Sequence, residues 1–261
     1  MDDNKTINTL LNAELPASAD NALKNLTDKP TLSIGTTFSD LWYLVFGGIS
    51  YLSEKKKIKY AHNLELYRKQ LESSISQIPP EKLVEPSTQT TAQALENSKY
   101  CIDEENLRSM FTSLISNSMN SDYQKDIHPS FAEIIKQMSP LDAEIINVFK
   151  NSPINGFPLA RYQLSKELGG FSLLLEHVFL EYRTSDLAAN SLSISSLSRL
   201  GLLTTSYDTS FHTNGIYKPF AEHPWFKMLQ EKFPNEIVAL HPGIVSLTPL
   251  GRSFTRVCIP D

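Results

Sequence analysis

The stretch from Asp103 to Met119, DEENLRSMFTSLISNSM, sets Leu107, Met110, Phe111, Leu114, Ile115, Ser118 and Met119 at steps of three and four. An α-helix turns once every 3.6 residues, so this spacing gathers the set on one wide apolar face that must be covered by other elements. Asp103 stands where an N-cap belongs. After the polar turn NSMNSDYQKDIH, from Asn117 to His128, two more helices are predicted in quick succession. One carries Phe131, Ile134, Ile135 and Met138, opened by Pro129 and a Ser130-to-Glu133 capping box. The next carries Ile145, Ile146, Val148 and Phe149, opened by Ser139 and Asp142 with Pro140 at the first helical position.

Upstream, residues 1–30 mix polar residues with scattered leucines between Pro16 and Pro30, which predicts a tail-like start. Leu41 through Leu52 then carry no charge and include Trp42, Tyr43 and Phe46, followed by the basic run Lys55, Lys56, Lys57 and Lys59. An apolar helix with a lysine tail suits either a buried core helix or a membrane or partner surface, and these residues are the first candidate contact surface. From residue 58 to 78, Ile58, Ala61, Leu64, Leu71, Ile75 and Ile78 form a narrow stripe on a long helix, ended by Pro79-Pro80. A further helical pattern with Ala94 and Leu95 begins near Thr91, and the two are expected to form a hairpin.

Beyond NSPINGFP, at about 151–158, the text changes character. A helix is expected around Ala160–Leu168, and FSLLLEHVFLEY reads as strand or helix. SLSISSLSRLGLL predicts a serine-rich helix ended by a left-handed turn at Gly201. After an insert at about 208–241, Val245–Leu247 predicts a strand and Thr248-Pro249 the start of a last helix packed by Phe254 and Val257. This order predicts a winged helix. The fold class expected is therefore mainly α: a tail at 1–30, a helical hairpin or bundle at 31–138, and a winged-helix-like α+β domain with a small antiparallel sheet at 139–261.

Charge bears on the partner. The chain of 261 residues has a formal net charge of -5, and from Tyr207 to Asp261 five basic residues face five acidic ones. Affinity for DNA comes from neutralising several phosphates, whereas the candidate contact surface Ser195, Ser198, Arg199 and Arg252 brings few cations, so charge disfavours DNA. No catalytic or metal-binding word is present: no CxxC, HExxH, GxSxG or phosphate-cradling glycine loop. The two cysteines, Cys101 and Cys258, read as reduced core thiols. Three of the six histidines, His128, His223 and His241, precede proline, as suits helix and loop starts. Asn117, Asn120 and His128 form a candidate polar patch that either lines a pocket or caps helix ends. No enzyme activity, cofactor, metal or small-molecule ligand is expected.

The segments ALENSKYCIDEENLRSMFTSLISNSMN, HPSFAEIIKQMSPLDAEII, SISSLSRLGLL and LTPLGRSFTRVC, in this order, resemble the abortive-infection alpha family over about residues 20–258. The resemblance implies a mostly helical bacterial protein associated with phage exclusion, and it carries over no catalytic residue. The leading expectation is a non-enzymatic antiphage protein acting through protein contact or a membrane surface. A winged-helix regulator on DNA and a structural module for self-association are the alternatives. The acidic start MDDNKTINTLL lacks the form of a secretory signal, and no apolar run reaches the eighteen or so residues of a spanning helix. A cytoplasmic protein, in one version peripheral at the inner face of the membrane, is therefore expected.

Overall fold

In the computed structural model the residues described are 31–46, 54–150, 152, 156–166, 169–182 and 186–260. The expected tail at 1–30 and the end of the apolar run, residues 47–53, lie outside them. The chain is mainly helical with a four-stranded antiparallel sheet. It divides into two compact units, one running to Gln137 and including Arg256–Asp261, the other Met138–Thr255.

The first unit is a helical bundle of α1 (Thr31–Phe46), α2 (Glu54–Ser76), α3 (Thr88–Ser98), α4 (Glu105–Ser118) and α5 (Phe131–Lys136). The apolar face read from the sequence makes α4 its centre: Leu107, Met110, Phe111, Leu114 and Ile115 are all buried. α2 packs on α4 rather than pairing with α3 as a hairpin, because the linker between them is held elsewhere. The Val84 N–H donates to the Met119 carbonyl at 2.8 Å, and Leu83 bridges to Asn120 at the far end of α4. The stripe on α2 includes Tyr67, which is fully buried and fills the gap in the sequence between Leu64 and Leu71. Buried Arg108 is satisfied without a carboxylate, donating to the Ile102 carbonyl at 2.8 Å and to Gln70 Oε1 at 3.3 Å.

Two expected caps take a different form. α4 begins at Glu105 behind Glu104, and the Asp103 carboxylate instead accepts from Asn63 Nδ2 at 2.7 Å and pairs with Lys59 at 3.4 Å. The Ser130–Glu133 box does not form either. His128 Nδ1 accepts the Ser130 N–H at 3.2 Å and its hydroxyl at 2.7 Å, so the histidine takes the capping role, while Glu133 accepts from Asn97.

The second unit contains α6 (Pro140–Val148), β1 (Phe157–Ser165), β2 (Phe171–Val178), α7 (Leu187–Arg199), β3 (Leu203–Ser206), α8 (Lys218–Glu222), α9 (Pro224–Lys232), β4 (Ile237–Leu247) and most of α10 (Pro249–Cys258). The sheet order is β2-β1-β4-β3. Where a helix is expected at Ala160–Leu168, the chain is strand β1 as far as Ser165, and residues 167–168 lie outside the described residues. PLARYQLSKEL is rich in helix formers, but Ala160, Tyr162 and Leu164 alternate, and pairing with β2 and β4 on both sides overrides local propensity. FSLLLEHV is a strand, and β4 is longer than Val245–Leu247, beginning at Ile237. The segment between β3 and β4 folds α8 and α9 over one face of the sheet, burying Phe220, Phe226 and Leu229 against Tyr162, Leu164 and Val238. The Tyr162 hydroxyl donates to the Phe220 carbonyl at 2.8 Å, which fixes this cover.

The phrases RLGLL and LTPLG meet in space. Gly201 takes φ +77°, and the Leu202 N–H donates back to the Leu197 carbonyl at 3.0 Å, ending α7 in a Schellman turn. Thr248 caps α10, accepting the Gly251 N–H at 2.9 Å, and its hydroxyl donates to the Gly201 carbonyl at 2.6 Å.

The Ser139–Asp142 capping box is present in both directions: the Ser139 N–H donates to Asp142 Oδ2 at 2.9 Å and the Asp142 N–H to Ser139 Oγ at 3.1 Å. Asp142 Oδ2 also accepts from Ser196 Oγ at 3.1 Å, tying α6 to α7. Ser139→Ala removes the acceptor for the Asp142 N–H and is expected to lower stability by about 1 kcal/mol in urea unfolding, with an unchanged denaturant slope.

Candidate functional site

The three surfaces singled out in the sequence fare differently. On α1, Trp42 and Phe46 are buried with Phe38 and Val45; their rings lie 4.5 Å apart, and Trp42 is 5.7 Å from the Tyr67 ring. Tyr43 and Leu44 are exposed on the opposite side. Lys55, Lys56 and Lys57 fall on α2, with side chains outside the described residues. Ser195 and Arg199 are exposed on α7, Ser198 is half-buried, and exposed Arg252 donates to the Leu247 carbonyl at 2.9 Å. Asn117, Asn120 and His128 are occupied in closing helix ends and turns. Asn117 Nδ2 donates to the Val257 carbonyl at 2.8 Å, Asn120 Oδ1 accepts the Asp122 N–H at 3.0 Å, and His128 caps the start of α5.

A constellation the sequence did not disclose stands on the sheet of the second unit. Antiparallel pairing sets Arg161 of β1 opposite His241 of β4, and directly paired residues share a face. Tyr207, just past β3, lays its ring over this face, and Gly243 makes the passage possible: a Cβ there would stand 2.6 Å from the Tyr207 ring and 2.5 Å from the Ser206 carbonyl oxygen. The Arg161 guanidinium lies against two aromatic rings, 4.7 Å from the Tyr207 centroid and 4.4 Å from that of Phe171. His241 Nε2 donates to the Tyr207 carbonyl at 3.0 Å and holds the backbone there.

The far end of Tyr207 is locked by His177. Between its pairings with Ala160 and Gln163, β2 carries two more residues than β1, and within this bulged stretch His177 adopts φ +50°, uncommon for any residue but glycine. The turn aims both its N–H and its ring at the Tyr207 hydroxyl, each 3.0 Å away. The Tyr207 oxygen accepts the backbone N–H, and a second hydrogen bond joins the hydroxyl to His177 Nδ1, its direction following the tautomer of the imidazole. Burial pulls the His177 pKa below its ordinary value, partly opposed by Glu176, whose carboxylate is 4.0 Å from Nε2. Burial pushes the Tyr207 hydroxyl up to about 12, with the His177 N–H and Arg161 working against that rise.

These shifts predict a pH dependence. Between the lowered folded pKa and 6.5, the unfolded chain takes up a proton at His177 that the folded chain refuses, so stability falls as pH drops below 6.5 and is unaffected above it. His223, also lowered by burial, acts in the same direction. His177→Asn keeps a residue that tolerates the left-handed turn and removes the titration. Urea unfolding followed by Trp225 fluorescence is expected to show a shallower loss of stability below pH 6.5 in this variant. The difference is bounded by about 1.4 kcal/mol per pH unit for one proton.

Two polar atoms in this cluster lack partners: Arg161 Nε and Gln163 Oε1 are buried without a hydrogen bond. Among the described residues no group of three or more His, Cys, Asp or Glu side chains is placed to hold a metal ion, and no helix is long and apolar enough to cross a membrane. Sequence reading passed over the cluster because Arg161, Phe171, His177, Tyr207 and His241 are spread over eighty residues. A lone arginine within an alternating strand was the available signal.

A helical bundle joined to an α+β unit with a small antiparallel sheet defines the architectural class. The chain belongs to the Abortive infection alpha family, whose model matches residues 59–258. The match begins within α2, later than the resemblance read from the words of the sequence, and runs through both units. No curated protein and no solved structure matches the chain.

Proposed function

We propose that this chain is an antiphage protein of the abortive-infection type that acts by contact with another protein, without catalysing a reaction. The observation that carries the reading is the family match over residues 59–258, whose description is abortive infection. The mode of action draws support from where the chain spends its aromatic residues. Trp42 and Phe46, the side chains best suited to a lipid interface, are buried against Tyr67. Protein contact is thereby favoured over a membrane surface, since among the described side chains of α1 burial in the bundle leaves Tyr43 and Leu44 as the exposed large apolar pair.

Plating a varied phage panel on a susceptible bacterium with and without the gene tests the reading. Reduced plaque formation by at least one phage is expected, and equal plating throughout would remove the defence assignment. Co-sedimentation with vesicles containing anionic lipid at low salt addresses the mode, with no binding expected; salt-sensitive binding would restore the membrane version.

A further inference from the structure

We infer that the open end of the sheet face around Arg161 is a docking surface for an extended peptide segment of a protein partner, one carrying an Asp or Glu beside a large apolar residue. The inference rests on the protein-contact reading above and names its surface and the chemistry of its partner. Register places the residues of this face side by side. Gln163 lies between Leu173 and Ala239, Ser165 lies between Phe171 and Ile237, and Arg161 lies beside His241. Phe171, Leu173 and Ile237 are 44%, 46% and 70% exposed, a cluster of large apolar side chains on strands, where such residues normally turn inward.

The polar groups at the centre say what the partner must offer. Among the described residues the Arg161 guanidinium meets two rings and no carboxylate, and its Nε is buried without a partner. Glu176, the acid beside His177, forms no ion pair with it among the described residues. A guanidinium lying against aromatic rings keeps in-plane N–H donors for an acceptor, and a carboxylate matches such donors with two parallel bonds. A peptide supplies both needs: a side-chain carboxylate for Arg161 and an apolar side chain for Phe171, Leu173 and Ile237. Arg161 is the one formally charged side chain among these strand positions, which is too little cation for a nucleic-acid backbone, and the aliphatic Leu173 and Ile237 offer no stacking platform for bases.

The surface is also held in shape before any partner arrives. Tyr207 is fixed at its hydroxyl by His177, at its carbonyl by His241 and at its ring by the missing Cβ of Gly243, so Arg161 is oriented by groups that lie outside the contact itself.

Panning a random heptapeptide display library on the full-length protein provides the test. Enriched sequences are expected to join Asp or Glu to Leu, Ile, Phe or Trp. A synthetic peptide of that kind should bind in fluorescence anisotropy with affinity reduced about tenfold or more by Arg161→Gln, and by a similar factor when its acid is changed to the amide. The Arg161→Gln protein should then no longer distinguish acid from amide. Ile237→Ser, a change at an exposed side chain that leaves the fold intact, should also weaken binding. Absence of enrichment, a consensus without an acid, or equal binding by wild type and both variants would overturn the inference. So would binding of random-sequence DNA that Arg161→Gln abolishes, or a wild-type dimer in sedimentation that Ile237→Lys dissociates. Phage protection that survives in variants unable to bind peptide would refute this surface and leave the defence reading standing. Peptide binding in a protein that gives no protection would do the reverse.

Discussion

Gly251→Ala is expected to destabilise the second unit by about 3 kcal/mol or more. A Cβ at Gly251 would stand 2.0 Å from the Leu202 carbonyl oxygen, 2.9 Å from its carbon and 3.0 Å from Leu247 Cδ2. Side chains can rotate away from such a clash, but this obstacle is backbone. The Leu202 carbonyl accepts the Thr248 N–H at 3.0 Å, so moving it displaces the residue that caps α10 and disturbs the turn that ends α7. Gly169→Ala is the control: φ is +87° there, yet nothing lies within 4 Å of the added methyl, and the cost is expected to be limited to about 1–2 kcal/mol of left-handed strain. The chain has two tryptophans, Trp42 in the first unit and Trp225 in the second. A Trp42→Phe background therefore reports the second unit by fluorescence, and the Gly251→Ala transition should move to markedly lower urea while the Gly169→Ala transition moves little.

Phe111→Ala is expected to cost about 3–5 kcal/mol in the first unit. Phe111 lies at the middle of α4 with no exposed surface, among Leu107, Met110, Leu114 and Ile115, and α2, α3 and α5 all pack on this helix. Truncation removes the transfer free energy of the ring and leaves a cavity that helices anchored to one another cannot close. Phe111→Leu, which keeps most of the volume, should lose less than half as much. In a Trp225→Phe background the emission of Trp42 follows this unit, and the urea midpoints should fall in the order wild type, Phe111→Leu, Phe111→Ala.

These two sites also mark how far the sequence could be read. Phe111 is legible because helical periodicity is a local property, repeated over four turns of α4 with nothing to contradict it. The Ser139–Asp142 box, the Gly201 turn and the Thr248 cap are legible for the same reason, since each is complete within a few residues. β1 is not, because its identity depends on β2 and β4, and its run Pro158-Leu159-Ala160 is buried on both faces, which interrupts the alternation at its start. The caps proposed at Asp103 and Ser130 failed through competition: Asn63 and Lys59 claim the carboxylate of one, and His128 engages the hydroxyl of the other. Of the surface residues chosen from the sequence, Trp42 and Phe46 belong to a core, and Asn117, Asn120 and His128 close helix ends or turns. The Arg161 cluster needed the bulged register of β2, the passage over Gly243 and the positive φ of His177, none of which is written in the spacing of residues along the chain.

The most direct test of the defence assignment is the fate of single infected cells. Cultures with and without the gene are infected at a phage excess with a phage whose plating the gene reduces, then plated for surviving cells and for infective centres. Abortive infection predicts that cells carrying the chain die as readily as the controls while far fewer of them release progeny. Survival of the infected cells, or an undiminished number of infective centres, would contradict it.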